Sequence, residues 1–151
     1  MSMCSDTYHK EDDASTYTFD GKNATIKRWN KYLSGPYFYI DKGVNLSLTN
    51  LTLSNTTESG GSAADSVVTL ADGTLTAGAG LAMDGPAYFE QRPTAPGIIF
   101  TQEPTAPYAI KFASNVDPFT SAFDAASAPE TITADNLGRY LALDGSVNEA
   151  K

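Results

Sequence analysis

A single cysteine, Cys4, and a single histidine, His9, set the first limits on this chain of 151 residues. One cysteine forms no intrachain disulfide and builds no cysteine-rich metal site. Catalysis by a Ser-His-Asp or Cys-His arrangement needs an ordered histidine. His9 stands in the acidic, aperiodic stretch 1–15, which reads as a flexible N-terminal lead. Glu11, Asp12 and Asp13 beside it do not make a metal site, because an unordered tail fixes no coordination geometry. Basic residues are also scarce, 10 Lys and Arg against 18 Asp and Glu for a net charge of −8, which argues against a nucleic-acid partner. The pair Gly60-Gly61 lacks the lysine that a phosphate loop requires. No apolar run is long enough to span a bilayer, so membrane insertion is not expected. The first residues lack the basic and apolar regions of a secretory signal, so an exported form would have lost its signal or would carry it in a longer parent chain.

What is present is a polar, β-rich vocabulary. Apolar content is 41%, enough for a core, but Thr, Ser, Gly, Asn and Ala dominate, which suits short strands and turns. The centre of the pattern is the stretch 37–55, YFYIDKGVNLSLTNLTLSN. Leu46 and Leu48 would face one side of a straight strand, and Leu51 and Leu53 the other. A corner at Thr49-Asn50 resolves the conflict, because asparagine tolerates the left-handed conformation that turns a chain. Both leucine pairs then point into one narrow interior, as in a coil of a β-solenoid.

The unit of strand, Asp-containing turn closed by glycine, then strand occurs at 16–28, 37–48 and 67–76. Its glycines are Gly21, Gly43 and Gly73, and a period in the twenties fits stacked coils. The longer second interval is assigned to a Gly/Ser-rich loop, 56–65, inserted between coils. Further on, QRPTAPGIIFT (91–101) and QEPTAPYAIKF (102–112) form a tandem repeat. Proline is confined to strand starts, edges and turns, so two further strands begin after Pro96 and Pro107. A loop with a short helical turn at 121–126, a brief helix capped by Thr133 and stopped by Gly138, and a last strand at 140–143 complete the chain. Either this portion caps the open end of the stack, or the chain is cut from a longer array there.

The order FDGKNATIKR, FYIDKGVNLSLTNLTLSNT, VVTLADGTLTAGAGLAM resembles the right-handed parallel β-helix repeats of large bacterial surface adhesins, relatives in fold of pectin-lyase-like proteins. The resemblance covers residues 16–85 and is one of fold rather than of a site. It implies an all-β fold, a short right-handed parallel β-helix with coils over 16–85 and a strand-rich capping portion over 86–151, in one domain. It also implies a location at the bacterial cell surface.

Candidate sites are few. Asp20, Asp41, Asp72, Asp84 and Asp144 stand at or just before glycine-containing turns, and the first three could line one edge of the solenoid as a calcium ladder or as an acid/base pair for sugar cleavage. Aspartate also favours turns by bonding its own backbone, and that reading is preferred. Arg28, Arg92 and Arg139 are scattered and complete no lyase-like cluster. Around Gly35-Pro36, either Phe38 with Ile40 or Tyr37 with Tyr39 belongs to the core, whereas the aromatics Trp29 and Tyr32 are candidates for exposure and for stacking on sugars. Four Asn-x-Ser/Thr triplets begin at Asn23, Asn45, Asn50 and Asn55. The last three are read as corner residues bonding along the stack rather than as glycan acceptors.

The expectation is therefore a non-enzymatic structural and adhesive solenoid segment with no catalytic, cofactor-binding or metal-ligating residue. It stacks on neighbouring coils of a longer parent chain and meets surface glycans or host and partner proteins through loops 28–36 and 56–65. Two alternatives stand beside it: a phage virion decoration or fibre component, and a carbohydrate-binding or accessory polysaccharide-active domain.

Overall fold

A computed structural model describes residues 15–63, 65–91, 96–113, 123–124 and 136–143. The strands are β1 (Ser15–Arg28), β2 (Phe38–Asp41), β3 (Val44–Thr57), β4 (Val68–Ala71), β5 (Thr74–Ala77), β6 (Leu81–Asp84), β7 (Ala87–Phe89), β8 (Ile98–Phe100), β9 (Tyr108–Phe112), β10 (Phe123–Asp124) and β11 (Leu141–Leu143). One sheet runs β1-β3-β5-β8-β10, with β6 beside the second half of β3; the other runs β2-β4-β7-β9-β11. Every pairing between these strands is parallel. The chain is a β-solenoid of about three turns, as the sequence indicates.

The corner at Asn50 is present. Asn50 adopts a φ of 50°, and Leu46, Leu48, Leu51 and Leu53 are all buried. The neighbouring coils turn at the same place with Asn23 (φ 65°) and Gly80 (φ 76°). The next residues, Ala24, Leu51 and Leu81, are register partners. A left-handed residue at this point of each coil divides its long strand path into two faces. The inward residues stack in columns. Phe38, Val68, Ala87 and Ile110 form one, and Phe19, Leu48, Ala77 and Phe100 another. Small Ala77 and Ala87 sit one rung from bulky side chains, so the column volume evens out along the stack.

The phase of the repeat differs from the glycine spacing. Phe38 pairs with Val68 and Leu51 with Leu81, so these coils are 30 residues long. Gly43 and Gly73 occupy the same corner, between β2 and β3 and between β4 and β5. Gly21 belongs to the other corner, against the Asn50 carbonyl and Leu51. The interval of 22 therefore compares two different corners. For the same reason the loop at 56–65 is no insertion: segment 29–37 links β1 to β2 as segment 58–67 links β3 to β4. Later coils are shorter, since only Gly85-Pro86 joins β6 to β7.

Both proline-bounded strands form, and they fall on opposite sheets: β8 pairs with β5, and β9 with β7. An eleven-residue repeat spans only part of a coil. At the far end, Phe123–Asp124 is a strand on β8 rather than a helical turn, the rest of 121–126 lying outside the described residues. Gly138 lies within a 3-10 helix, Leu137–Arg139, and does not stop one; Thr133 lies outside the described residues. Leu137, Tyr140 and Leu141 are buried, and the Tyr140 ring lies 5.1 Å from that of Phe100, so this portion continues the core by one more rung, β11 on β9.

Tyr108 gives this end an alkaline weakness. Its ring stacks on Phe100 at 5.7 Å, its hydroxyl donates to the Leu81 carbonyl at 2.7 Å, and burial pushes its pKa up to about 12. The raised value means the neutral form is favoured in the folded state. Its contribution is complete below the ordinary tyrosine range and is lost as pH rises from about 10 to about 12. A shift of that size corresponds to roughly 2–3 kcal/mol at full titration. Urea melts at pH 8 and 11.5 should show a larger loss for the native protein than for Tyr108→Phe; equal losses would remove Tyr108 as the cause.

Candidate functional site

Loop 29–37 of the first coil and segment 58–66 of the second lie side by side. Glu58 N–H donates to the Arg28 carbonyl and Ser59 N–H to that of Trp29, both at 3.0 Å. Alternation along β1 sends Ile26 and Arg28 inward and Lys27 outward. Arg28 is thus only 5% exposed although it carries a full charge.

The guanidinium is held by three acceptors. Nε donates to Asn55 Oδ1 at 3.1 Å, and the two terminal nitrogens donate to the carbonyls of Leu33 at 3.3 Å and Ser66 at 3.2 Å. Its carbon lies 4.9 Å from the centre of the Tyr37 ring, an arrangement in which the ring face attracts the cation. Asn55 donates onward to the Asp65 carbonyl, and the Asp65 carboxylate accepts from Gly35 N–H at 3.2 Å. Tyr37 donates its hydroxyl to the Ser54 carbonyl at 2.9 Å. Burial raises the Tyr37 pKa, and the charge of Arg28 opposes that rise. One buried arginine thereby ties together both loops and the strand that precedes each.

Above this anchor, Trp29 is 68% exposed, Tyr32 80% and Leu33 49%. Lys31 Nζ lies 5.4 Å from the Tyr32 ring centre, and Asn30 Oδ1 accepts from Tyr32 N–H at 2.9 Å. Large apolar side chains cost solvation when left in water, so an anchored loop that displays three of them is the unusual feature of this surface. Trp29 and Tyr32 thus stand exposed as expected, with Phe38 and Ile40 in the core. Tyr37 is buried as well, beneath Arg28, while Tyr39 points outward at 38% exposure. Burial raises the Tyr39 pKa first, and a hydrogen bond with Glu90 adds to it.

The turn aspartates do not form one ladder. Asp20 is at the Asn50 corner, where its Oδ1 accepts from Lys22 N–H at 2.9 Å and from Asn50 Nδ2 at 3.3 Å. These contacts and the Lys22 charge hold its pKa below the usual value. Asp41 and Asp72 bridge each other at the opposite corner, and Asp41 Oδ1 accepts from Lys42 N–H at 2.8 Å. Asp84 accepts from Ser54 Oγ at 3.0 Å, and Asp144 lies outside the described residues. No group of three His, Cys, Asp or Glu able to hold a metal occurs among the described residues. Arg92 is also outside them, and Arg139 pairs with Glu103 at 3.5 Å.

The asparagines bond between coils, though not asparagine to asparagine. Asn45 accepts from Thr76, Asn50 donates to Asp20, and Asn55 accepts from Arg28. Asn23 is exposed. A cleft of about 80 Å³ lies at the start of β6, lined by Gly78, Gly80, Leu81, Gln102, Pro104 and Tyr108 among others. At roughly 30 Å³ per water it holds only a few of them.

Sequence reasoning grouped Arg28 with the scattered arginines. The signal that could have found it is parity: two places after inward Ile26, Arg28 falls on the buried side of the strand, where a cation must be paired or hydrogen-bonded. The chain matches no protein-family model, and comparison with curated proteins and with solved structures gives no significant match.

Proposed function

We propose that this chain is a non-enzymatic structural and adhesive β-solenoid segment of a cell-surface protein, and that its contact surface is the loop pair 28–36 and 56–65. The observation that carries the reading is the pairing of a rigid base with an exposed aromatic crown. Arg28 fixes the loops from beneath, while Trp29 and Tyr32 stay 68% and 80% exposed. Preorganised aromatic residues bind at low entropic cost, which suits a contact site on a stiff support. The parallel stack supplies the stiffness, and no buried side-chain nitrogen or oxygen among the described residues lacks a hydrogen-bond partner. Neighbouring coils of a longer parent chain stack on the edges of β1 and β2, whose outer sides carry no further strand among the described residues.

Trp29 is the only tryptophan in the chain, so its fluorescence reports on this loop alone. Titration with soluble polysaccharides and glycopeptides, with new reducing ends assayed in parallel, should give a blue-shifted emission with at least one ligand and no cleavage. Cleavage of any polymer would sink the non-enzymatic reading. A stable trimer in sedimentation would favour a virion component over a segment that is monomeric in solution.

A further inference from the structure

We propose that the loop surface takes a carboxylate-bearing glycan, with Trp29 and Tyr32 stacking on sugar rings and Lys27 and Lys31 meeting the carboxylates; the proposal rests on the adhesive reading above. Its basis is the uneven distribution of charge. The first coil, 15–43, holds five of the ten basic residues, Lys22, Lys27, Arg28, Lys31 and Lys42, and two acids, Asp20 beside Lys22 and Asp41 beside Lys42; Arg28 is buried, which leaves Lys27 and Lys31 as the exposed cations at the loop. The chain as a whole carries −8. A polyanion is therefore repelled by most of this surface and is admitted at one end, and complementarity of this kind selects both partner and orientation.

Two of these cations stand with the aromatics. Strand parity places Lys27 on the outward side of β1, two residues before Trp29, while Arg28 between them turns inward. Lys31 lies beside the Tyr32 ring, and its side chain is free to swing to a ligand because the loop is held from below rather than by this residue. Glu58 opposes them: its backbone bond to the Arg28 carbonyl sets it next to Trp29, and it is exposed. The site thus carries its own negative control, since removing that carboxylate raises the local positive charge without touching a stacking group.

A lipid surface is the weaker partner. The aromatics are flanked by Lys31 and Glu58, exposed charges that an acyl layer would have to desolvate. A neutral glycan needs the aromatics but not the lysines. A sugar carboxylate uses both, through stacking on one face and charge at the edge.

The test uses the full chain with hyaluronan, the same polymer with its carboxylates reduced to alcohols, and vesicles containing phosphatidylglycerol, each followed by Trp29 emission and by calorimetry. Expected are binding to hyaluronan that weakens as salt rises, and a loss of about 10-fold in affinity for Lys27→Gln with Lys31→Gln. Glu58→Gln should tighten binding about 2-fold. Trp29→Ala should abolish the calorimetric signal while leaving the circular dichroism spectrum and urea midpoint unchanged. Equal binding of the reduced polymer overturns the carboxylate assignment and leaves the adhesive reading in place. A response to vesicles alone overturns it in favour of a lipid partner. If Trp29 answers to none of these and to no other polymer or glycopeptide, the loop is not a contact surface and the adhesive reading falls as well.

Discussion

Arg28→Met should detach the loops from the solenoid before the coils themselves unfold. Methionine fills much of the arginine stem's volume and removes every hydrogen bond. Asn55 Oδ1 and the carbonyls of Leu33 and Ser66 each lose a donor. Every such loss in a buried or half-buried setting costs about 1 kcal/mol or more, and the attraction to the Tyr37 ring adds about 1 kcal/mol. The expected destabilisation is therefore about 4 kcal/mol, a large part of the roughly 5–15 kcal/mol that holds a domain folded. Its distribution matters as much as its size. The lost contacts join loop to loop, whereas the strand ladders and leucine columns are untouched, so unfolding should separate into two steps. Urea titration followed by Trp29 emission should reach its midpoint below that followed by far-ultraviolet circular dichroism, and limited proteolysis should cut first within 29–34 and 58–61. Arg28→Lys should recover little, because one ammonium cannot reproduce the planar fork that reaches three acceptors. Coincident transitions at the native midpoint would show that the loops are held by something other than Arg28.

The leucines and the arginine differ in how openly the chain displays them. Leu46, Leu48, Leu51 and Leu53 reveal a corner because strand alternation is a local rule, and a break of one place is visible within eight residues. The parity that buries Arg28 follows the same rule, but a basic residue normally lies at the surface, and only the loops it holds explain its burial. Neither loop's partner lies nearby in sequence. Coil phase is harder still. A solenoid corner accepts whichever of Asn, Asp or Gly suits its backbone, so the same corner bears Asn23, Asn50 and Gly80 in successive coils. Counting glycines alone therefore joins Gly21 to Gly43 across two different corners. The tandem Pro-Thr-Ala-Pro repeat marks strand starts correctly, yet its strands fall on separate sheets because pairing follows position in the coil and not similarity of sequence. The proposed contact surface is legible as the two loops 28–36 and 56–65 and as aromatic composition around Gly35-Pro36, and the exposure of Trp29 and Tyr32 follows from their place in a loop.

Gly73→Ala should be the most damaging single-methyl change in the stack, for a reason unlike the usual one for glycine. Gly73 has no left-handed φ; its neighbour Asp72 takes that role at 64°. What Gly73 supplies is absence of bulk. A Cβ there would stand 2.4 Å from Ile40 Cγ2, 2.5 Å from the Ile40 carbonyl oxygen and 2.6 Å from that of Asp41. Two of those atoms are backbone at the end of β2, which pairs with β4 immediately before this corner. Relief requires the two coils to move apart, which strains the Phe38–Val68 and Ile40–Leu70 rungs together. Overpacking of a side chain costs about 1–3 kcal/mol, and a clash with fixed backbone belongs at or above the top of that range. Gly61→Ala is the comparison: its φ is 84°, but nothing lies within 4 Å of the added methyl, so only the left-handed penalty of about 1–2 kcal/mol applies. Urea midpoints at unchanged m-value should rank Gly73→Ala well below Gly61→Ala. The double change Asp72→Gly with Gly73→Asp separates the two causes. It relieves a left-handed aspartate and keeps the composition of the turn, so a corner limited by backbone conformation would gain stability. A corner limited by the approach of the next coil should lose more than with Gly73→Ala, because the larger side chain begins at the same blocked position.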